Sequence, residues 1–177
     1  MNNNFIIKDG VLVQYAGHDE KVIIPDGVIG IESEAFMASN CMAITEIVIP
    51  DSVRYIGEYA FAQLGLRKIK LPEGLKRIGW KSFYQCYKLK NIVIPENVTE
   101  IGREAFFGCR SLTKINIPES VKEIGDYAFA ECDKLSLSVD PKILAPGSDI
   151  FGSTYGVNGA DEITDEEADM IISNATS

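Results

Sequence analysis

Apolar residues recur along this chain in a fixed order, with successive prolines 25, 22, 23, 23 and 23 residues apart. The prolines are Pro25, Pro50, Pro72, Pro95, Pro118 and Pro141, and the phenylalanines that follow them in step are Phe36, Phe61, Phe83, Phe106, Phe129 and Phe151. After the first five prolines, Val or Leu comes three residues on and Ile three residues further, and Gly follows four of these isoleucines. Self-similarity at this period predicts a stacked repeat protein, a solenoid.

One unit, residues 112–132, illustrates the predicted local structure. Its first part is β-rich with apolar positions in register, and Pro118 ends that strand. The acid that follows the proline suits a turn, and Val121–Ile124 forms a second short extended piece. The Ala-Phe-x-x-Cys segment after it is predicted to be a tight helical or 3₁₀ turn. A coil this short cannot bury its apolar side alone, so we expect each Leu, Ile and Phe to stack on its equivalents in neighbouring coils.

The unit resembles the bacterial leucine-rich repeats of the BspA and Treponema type, L-x-x-I-x-I-P-x-x-V-x-x-I-G-x-x-A-F-x-x-C. Residues 44–132 match this pattern closely and residues 19–43 match it more loosely. Residues 135–151 resemble a degenerate capping coil, because Ser138 and Asp140 replace the two strand isoleucines. The resemblance implies a leucine-rich-repeat, right-handed, β-rich solenoid. It also implies a surface or secreted bacterial protein that binds other proteins, cells or host matrix.

The chain, residues 1–177, is predicted to be a single domain with capped ends, since a bare terminal coil would expose its core. Residues 1–20 are expected to form an N-terminal hairpin cap around an Asp9-Gly10 turn. Residues 21–134 form the leucine-rich-repeat coils, with a two-residue bulge near Ala38–Met42. Residues 135–177 form the degenerate coil and a C-terminal helix cap. Within that cap, Thr164 and Glu167 make a capping box.

Two repeated sets of side chains could be considered as metal ligands, and the pattern of neither set predicts a metal site. Cys86, Cys109 and Cys132 recur every 23 residues. Such a straight ladder cannot wrap a tetrahedral ion, so buried free thiols are favoured over metal binding or oxidation; Cys41 is a displaced member of this set. The acids that follow the prolines suit solvated turns better than a cation site. These acids are Asp26, Asp51, Glu73, Glu96 and Glu119.

The tail holds a weak resemblance to a calcium-binding loop, with Asn158 and Glu167 at ligand positions three and twelve. Gly156 and Ala160 replace two of the acidic ligands, and a plain capping helix is the favoured alternative. No metal and no cofactor is therefore predicted.

The charge balance narrows the class of partner. A net charge of −9 and a pI near 4.7 argue against a nucleic-acid binder and against a binder of anionic membranes. No run reaches the roughly 18 apolar residues of a membrane span, and the first residues do not resemble a signal peptide. Surface or secreted location therefore comes from the resemblance alone, and a cytoplasmic location stays open.

Catalysis is not expected. The only histidine, His18, lies in a predicted turn, and no Ser-His-acid or Cys-His set can be assembled. The sequence contains no glycine-rich phosphate loop, and chemistry by carboxylates alone stays open because acids are plentiful. We therefore predict a non-enzyme without catalytic residues.

The outward positions of the first strands provide the first candidate binding surface. These positions are Thr45, Glu46 and Val48; Arg67, Lys68 and Lys70; Lys90, Asn91 and Val93; and Thr113, Lys114 and Asn116. They hold five bases and one acid in an acidic chain, and they are predicted to form one face of a parallel sheet. This face suits an extended acidic or polar protein partner. Alternatively, the lysines only keep the sheet soluble.

A second candidate surface is aromatic. Trp80 takes a position that Ser33, Glu58, Arg103 and Asp126 fill in other coils, so it should be exposed, and Tyr59, Tyr84 and Phe107 lie near it. Such rings anchor protein partners or stack on sugars, or they cover a neighbouring loop. The sequence as a whole predicts a protein-binding or adhesion module. The alternative is a structural spacer with little affinity of its own, and an enzyme is a distant third hypothesis.

Overall fold

Two parallel ladders of short strands run along the molecule, one on each side of a shared apolar core. The computed structural model describes residues 4–37, 42–137, 141–144 and 148–152. Each of five successive coils contributes one strand to each ladder. The first strands are β3 (Lys21–Ile23), β5 (Glu46–Val48), β7 (Lys68–Lys70), β9 (Asn91–Val93) and β11 (Lys114–Asn116). The second strands are β4 (Gly30–Ile31), β6 (Tyr55–Ile56), β8 (Arg77–Ile78), β10 (Glu100–Ile101) and β12 (Glu123–Ile124). The predicted β-rich solenoid is confirmed.

The N-terminal end is covered by the predicted hairpin of β1 (Phe5–Lys8) and β2 (Val11–Tyr15). Asp9 and Gly10 both have positive φ, 50° and 77°, which is the geometry of a type I′ hairpin turn. β2 then pairs with β4 in parallel. The hairpin thereby extends the second ladder to seven strands in the order β1-β2-β4-β6-β8-β10-β12.

Stacking in register produces the core. Ile31, Ile56, Ile78, Ile101 and Ile124 pair one upon the next along the second ladder. The rings of Phe36, Phe61, Phe83, Phe106 and Phe129 follow the same order, with centroids 5.2 to 5.7 Å apart, and all five are buried. At the N-terminal end Tyr15 of the hairpin packs on Phe36 at 5.3 Å, and Phe5 packs on Tyr15 at 5.0 Å. The hairpin therefore closes the aromatic stack as well as the sheet.

The segment around each phenylalanine is a series of tight turns closed by i→i+3 hydrogen bonds, the 3₁₀ alternative of the predicted turn. In the second coil, Ala60 N–H donates to the Gly57 carbonyl and Ala62 N–H donates to the Tyr59 carbonyl. These turns place non-glycine residues in the left-handed region, with φ between 50° and 60°. The equivalent residues are Glu34, Tyr59, Lys81, Glu104 and Tyr127.

The glycine that follows each strand isoleucine is required by packing between coils. A Cβ added at Gly102 would lie 2.7 Å from the Trp80 nitrogen and 2.8 Å from the Gly79 carbonyl carbon. Gly57, Gly79 and Gly125 likewise face the backbone of the preceding coil. None of these four glycines has positive φ, so the constraint is steric. In the first coil the equivalent residue is Glu32, whose preceding neighbour is the hairpin.

The last coil departs from the predicted pattern. Leu144 bridges Ile124 in parallel after a short 3₁₀ helix at Pro141–Ile143. Phe151 is shifted, as the degenerate coil predicted: its ring lies 6.4 Å from that of Phe129 but is 49% exposed. Ile150, which is only 3% exposed, takes the buried position, and its carbonyl accepts a hydrogen bond from Phe129 N–H.

The cause of this shift is a local turn. The carboxylate of Asp149 accepts hydrogen bonds from the N–H groups of Phe151 and Gly152, at 3.2 and 2.7 Å, and this places Ile150 inward. The predicted bulge, Ser138 and Asp140 of the degenerate coil, and the C-terminal helix cap rest on residues 38–41, 138–140 and 153–177, which lie outside the described residues.

We expect Gly102→Ala to lower the free energy of unfolding by about 2 kcal/mol or more, because the new methyl group meets backbone atoms that cannot rotate away. The matched control is Glu32→Ala, at the equivalent exposed position of the first coil, which should change stability by less than about 0.5 kcal/mol. Urea unfolding followed by circular dichroism measures both. Equal stabilities for the two variants would contradict the steric explanation.

A second stability prediction concerns Ser82, which replaces the buried alanine found at Ala35, Ala60, Ala105 and Ala128. Ser82 is 0% exposed, and its hydroxyl has no hydrogen-bond partner within the described part of the chain. Since a buried unpaired hydroxyl costs about 1 to 3 kcal/mol, Ser82→Ala should stabilise the protein by about 1 kcal/mol. Ala105→Ser should destabilise it by a similar amount. Thermal unfolding of both variants tests this; a less stable Ser82→Ala would overturn it.

Candidate partner-binding surfaces

The outward positions of β3, β5, β7, β9 and β11, with the residue before each strand, form a surface that we call the strand face. In β7 and β9 the central Ile69 and Ile92 are buried while their neighbours are exposed, as the alternation of a half-buried strand requires. The six bases of the strand face are Lys21, Arg67, Lys68, Lys70, Lys90 and Lys114, and its two acids are Glu20 and Glu46. Both acids lie in the first two coils.

The remaining three coils, which carry β7, β9 and β11, hold five bases and no acid on the strand face. We call this part the basic half. Glu46 lies between Lys21 Nζ at 2.9 Å and Lys68 Nζ at 3.6 Å, and the hydrogen bond from Lys21 lowers the pKa of the Glu46 carboxyl. In the described residues no ion pair reaches Arg67, Lys70, Lys90 or Lys114. Most of the positive charge of the basic half is therefore not neutralised by the described residues.

The polar residues predicted for this surface hold neighbouring coils together. The side-chain amide of Asn116 donates to the Ile94 carbonyl at 3.0 Å, and its oxygen accepts from Ile94 N–H at 2.8 Å. The Thr113 hydroxyl lies 3.1 Å from the Lys90 carbonyl and 3.3 Å from the side-chain oxygen of Asn91. These residues lie where the sequence predicted, but their polar groups make contacts between coils.

The expectation of one continuous sheet under this surface is wrong. β3, β5 and β7 form one sheet, β9 and β11 form another, and no strand pairing joins β7 to β9. The break lies where Arg67 and Lys90 occupy equivalent positions in neighbouring coils, and like charges placed opposite each other disfavour strand pairing. The second ladder continues past this point, because Ile78 and Ile101 remain paired.

A groove lies between β7 and β9 in the middle of the strand face. Ile69, Lys70, Leu71 and Glu73 line one side of it, and Val93, Ile94, Pro95 and Glu96 line the other. Val93 is 70% exposed, and Ile23 and Val48 occupy equivalent exposed positions in earlier coils. The strand face therefore combines bases with accessible apolar side chains.

The predicted aromatic surface is a packed cluster. Trp80 lies 5.2 Å from Tyr59 in an edge-on arrangement, and Tyr84 stacks on Phe107 at 5.2 Å. Trp80 is 36% exposed, as predicted, whereas Tyr59, Tyr84 and Phe107 are half-buried. The four residues lie near one another, as the repeat predicted.

Lys81, which the sequence did not single out, sits at the centre of the cluster. Its Nζ lies 5.4, 5.0 and 5.0 Å from the rings of Tyr59, Trp80 and Tyr84, within the range of cation–π attraction. The carboxylate of Glu104 forms an ion pair with Lys81, with Oε2 3.1 Å from Nζ. Burial opposes the charge of Lys81, but hydrogen bonds with Tyr59 and Glu104 prevail and raise its pKa. The aromatic faces are thus already occupied by a cation of the same chain. The position of Lys81 directly after Trp80 in the sequence was the one signal that could have indicated this contact.

The cysteines of the ladder are free thiols, as predicted; Cys86 and Cys109 are buried, and Cys132 is partly buried. Cys86, Cys109 and Cys132 each donate a hydrogen bond from Sγ to a carbonyl of the preceding coil, at 3.1 to 3.2 Å. Burial raises the pKa of Cys86 and Cys132 to about 12 and also raises that of Cys109. A thiol that stays protonated and donates a hydrogen bond is a structural group.

No group of three or more His, Cys, Asp or Glu residues that could hold a metal ion is found in the described part of the chain. The acids that follow the prolines are exposed, as is His18. Cys41 and the calcium-like loop of the tail lie outside the described residues. Within the described ranges, no helix is long and apolar enough to cross a membrane.

Comparison with known proteins gives a family match over residues 14–138. These residues match six copies of the BspA-type leucine-rich repeat region. A search of the curated proteins found no match.

Several solved structures are similar to this chain. The Treponema pallidum leucine-rich repeat protein is 33% identical, with a TM-score of 0.71, covering 77% of this chain and 68% of its own. A leucine-rich repeat protein from Bacteroides ovatus is 37% identical, with a TM-score of 0.68, covering 80% and 40%. A leucine-rich cell surface protein from Faecalibacterium prausnitzii is 36% identical, with a TM-score of 0.67, covering 71% and 34%. The match thus spans about a third of the Faecalibacterium protein and two fifths of the Bacteroides protein.

The thiol ladder predicts a specific pH response. At pH 9 a thiol with an ordinary pKa of 9.0 is half ionised, whereas one with a pKa of about 12 is ionised only about one part in a thousand. In a Cys41→Ser background, iodoacetamide should label Cys86 and Cys109 at least about 100-fold more slowly in the folded chain than in guanidinium. Mass spectrometry measures the rates, and equal rates would contradict the buried ladder.

The same shift links stability to pH. The folded pKa of Cys86 lies above the unfolded one, so its stabilising contribution is complete below about pH 9. That contribution is lost as the pH rises from 9 towards 12. A Cys86→Ser variant should show a weaker fall in stability over this range.

Proposed function

The chain belongs to the BspA-type leucine-rich-repeat family, and from this premise we propose that it is a non-catalytic module that binds a partner protein through the basic half of the strand face. One observation carries the proposal: the basic half has five bases and no acid in a chain with a net charge of −9. Four of these bases have no ion pair among the described residues. Such a charge excess favours the approach of an acidic surface.

The spacing of the coils supports an extended partner. Bases more than twenty residues apart in sequence, such as Lys68 and Lys90, occupy adjacent coils, and neighbouring strands lie about 4.8 Å apart. An extended acidic segment crossing the strands would meet bases in several coils. The groove beside Val93 would accept apolar side chains of the same segment.

We propose that the protein is located at the cell surface or secreted, and that the binding serves adhesion. The support is the similarity to the Faecalibacterium protein described as a leucine-rich cell surface protein. The non-catalytic assignment has two supports. No group of residues that could bind a metal ion is found among the described residues, and the single histidine, His18, cannot be placed in a Ser-His-acid or Cys-His set.

The aromatic surface is a second candidate for binding, to protein or carbohydrate, since Trp80 exposes part of its ring. We rank it below the strand face because Lys81 already fills the faces of Tyr59, Trp80 and Tyr84. The alternative from another class is a structural spacer, which would use neither surface.

The decisive variant reverses three bases, Arg67→Glu, Lys70→Glu and Lys90→Glu. Partners captured by the full chain from host matrix and from cell lysate would be identified and then titrated against purified protein. We expect at least about a tenfold loss of affinity, which corresponds to about 1.4 kcal/mol, because attraction becomes repulsion at the centre of the surface. The melting temperature should stay nearly constant, since these side chains are exposed.

The matched control is Lys8→Glu, Lys122→Glu and Lys134→Glu, which changes the net charge equally at exposed positions off the strand face. It should keep its partner affinity apart from a small salt-dependent decrease. Equal losses in both variants would show that only net charge matters. Failure to capture any partner would support the spacer.

A further inference from the structure

The last 25 residues carry most of the net negative charge of the chain. Residues 153–177 contain six acids, Asp161, Glu162, Asp165, Glu166, Glu167 and Asp169, and no Lys, Arg or His. Without these six, the remaining 20 acids nearly balance the 17 bases of the chain. All six acids lie between residues 161 and 169, so the charge is concentrated in nine residues. We call residues 161–172 the acidic segment.

The basic half of the strand face is complementary to this segment in charge. Its five bases lie on three successive coils, and four of them make no ion pair within the described residues. No other part of the strand face has this excess, because Glu20 and Glu46 offset Lys21 in the first two coils.

The two partners also match in apolar content. Ile163, Met170, Ile171 and Ile172 accompany the acids of the segment. On the strand face, Val93 is exposed beside the groove that separates β7 from β9. A surface with both bases and accessible apolar side chains suits a segment with both acids and apolar side chains.

The connection is long enough. Gly152 lies beside Ala130 and Tyr127 in the last coil, and eight residues, 153–160, separate it from the first acid. Eight extended residues span up to about 26 to 29 Å. The two faces of a solenoid coil are separated by about 10 Å, the usual distance between packed sheets. A linker of this length exceeds that separation and leaves room for the acidic segment to approach β11.

We propose that the acidic segment docks on the basic half of the strand face in the same molecule and covers it until an acidic partner displaces it. The proposal shares its surface with the proposed function and rests on it for the consequence of displacement, but not for docking itself. Because the segment is tethered, its effective concentration is in the millimolar range, so weak contacts suffice. Salt should release it, since the bases of the strand face are exposed and charges are screened within about 8 Å at physiological ionic strength.

A carbodiimide that joins a carboxylate to a contacting lysine without a spacer tests the docking in the full chain. Digestion and mass spectrometry should find links from residues 161–169 to Lys68, Lys70, Lys90 or Lys114. We expect these links to fall at least tenfold in 0.5 M NaCl. They should remain within one molecule when ¹⁵N-labelled and unlabelled chains are mixed.

Three outcomes would overturn the proposal. Links confined to Lys134 or Lys142 would instead support the predicted cap on the last coil, where Thr164 begins a helix. Links between labelled and unlabelled chains would show that a second copy is the occupant. Absence of links to any lysine, with the reagent verified on the Lys81–Glu104 pair, would show that the segment does not dock.

A second measurement concerns displacement. In a variant whose six acids are replaced by Asn or Gln, a fluorescent hexaglutamate peptide should bind several-fold more tightly than to the unaltered chain, because the face is uncovered. The control is a variant with Ser153, Ser173 and Ser177 replaced by Ala, which leaves the charge unchanged. Unaltered peptide affinity in the neutral-tail variant would contradict masking.

The two proposals can fail separately. Intramolecular links together with no effect of the Arg67, Lys70 and Lys90 reversal on partner capture would retain the docking and reject the proposed binding surface. Partner loss in that variant without intramolecular links would do the reverse.

Discussion

The close approach of one coil to the next is the constraint on which the rest of the molecule depends. At Gly102 the backbone of the preceding coil leaves no room for a methyl group, and Gly57, Gly79 and Gly125 face the same restriction. This spacing brings the phenylalanine rings to 5.2 to 5.7 Å and lets each ladder cysteine donate to a carbonyl of the preceding coil. Core packing, sheet pairing and the thiol hydrogen bonds all follow from one repeat distance.

The same spacing converts residues that are distant in sequence into a surface. Bases that would be scattered in an extended chain become neighbours on the strand face, where they repel one another and attract anions. The strand pairing between β7 and β9 is lost where Arg67 and Lys90 are equivalent, and a groove lies between these two strands. The bases on which the proposed binding depends thus also lie where the sheet is interrupted.

In the aromatic cluster, by contrast with the strand face, the positive charge is balanced by neighbouring groups. There Lys81 is enclosed by three rings and paired with Glu104, so its charge is satisfied within the chain. Lys81 also has a left-handed backbone, like its equivalents Tyr59 and Glu104. The tight turns therefore place large side chains in a row, where they pack between coils. The solenoid holds one group of bases that the described residues leave unsatisfied and one lysine that they satisfy fully, and this contrast directs attention to the strand face.

The sequence by itself determined the solenoid, its buried ladders, the hairpin at Asp9-Gly10, the thiol ladder and the exposed bases, because each follows from a residue's position within a repeated unit. Only the tertiary structure decided how equivalent positions meet across coils. It showed that Asn116 bonds to Ile94, that Lys81 fills the aromatic cluster, that the sheet breaks at β7, and that Ile150 replaces Phe151 in the core. A period states which residues stack. The hydrogen bonds, ring contacts and one-residue shifts between them depend on ångström-scale offsets that a period does not contain.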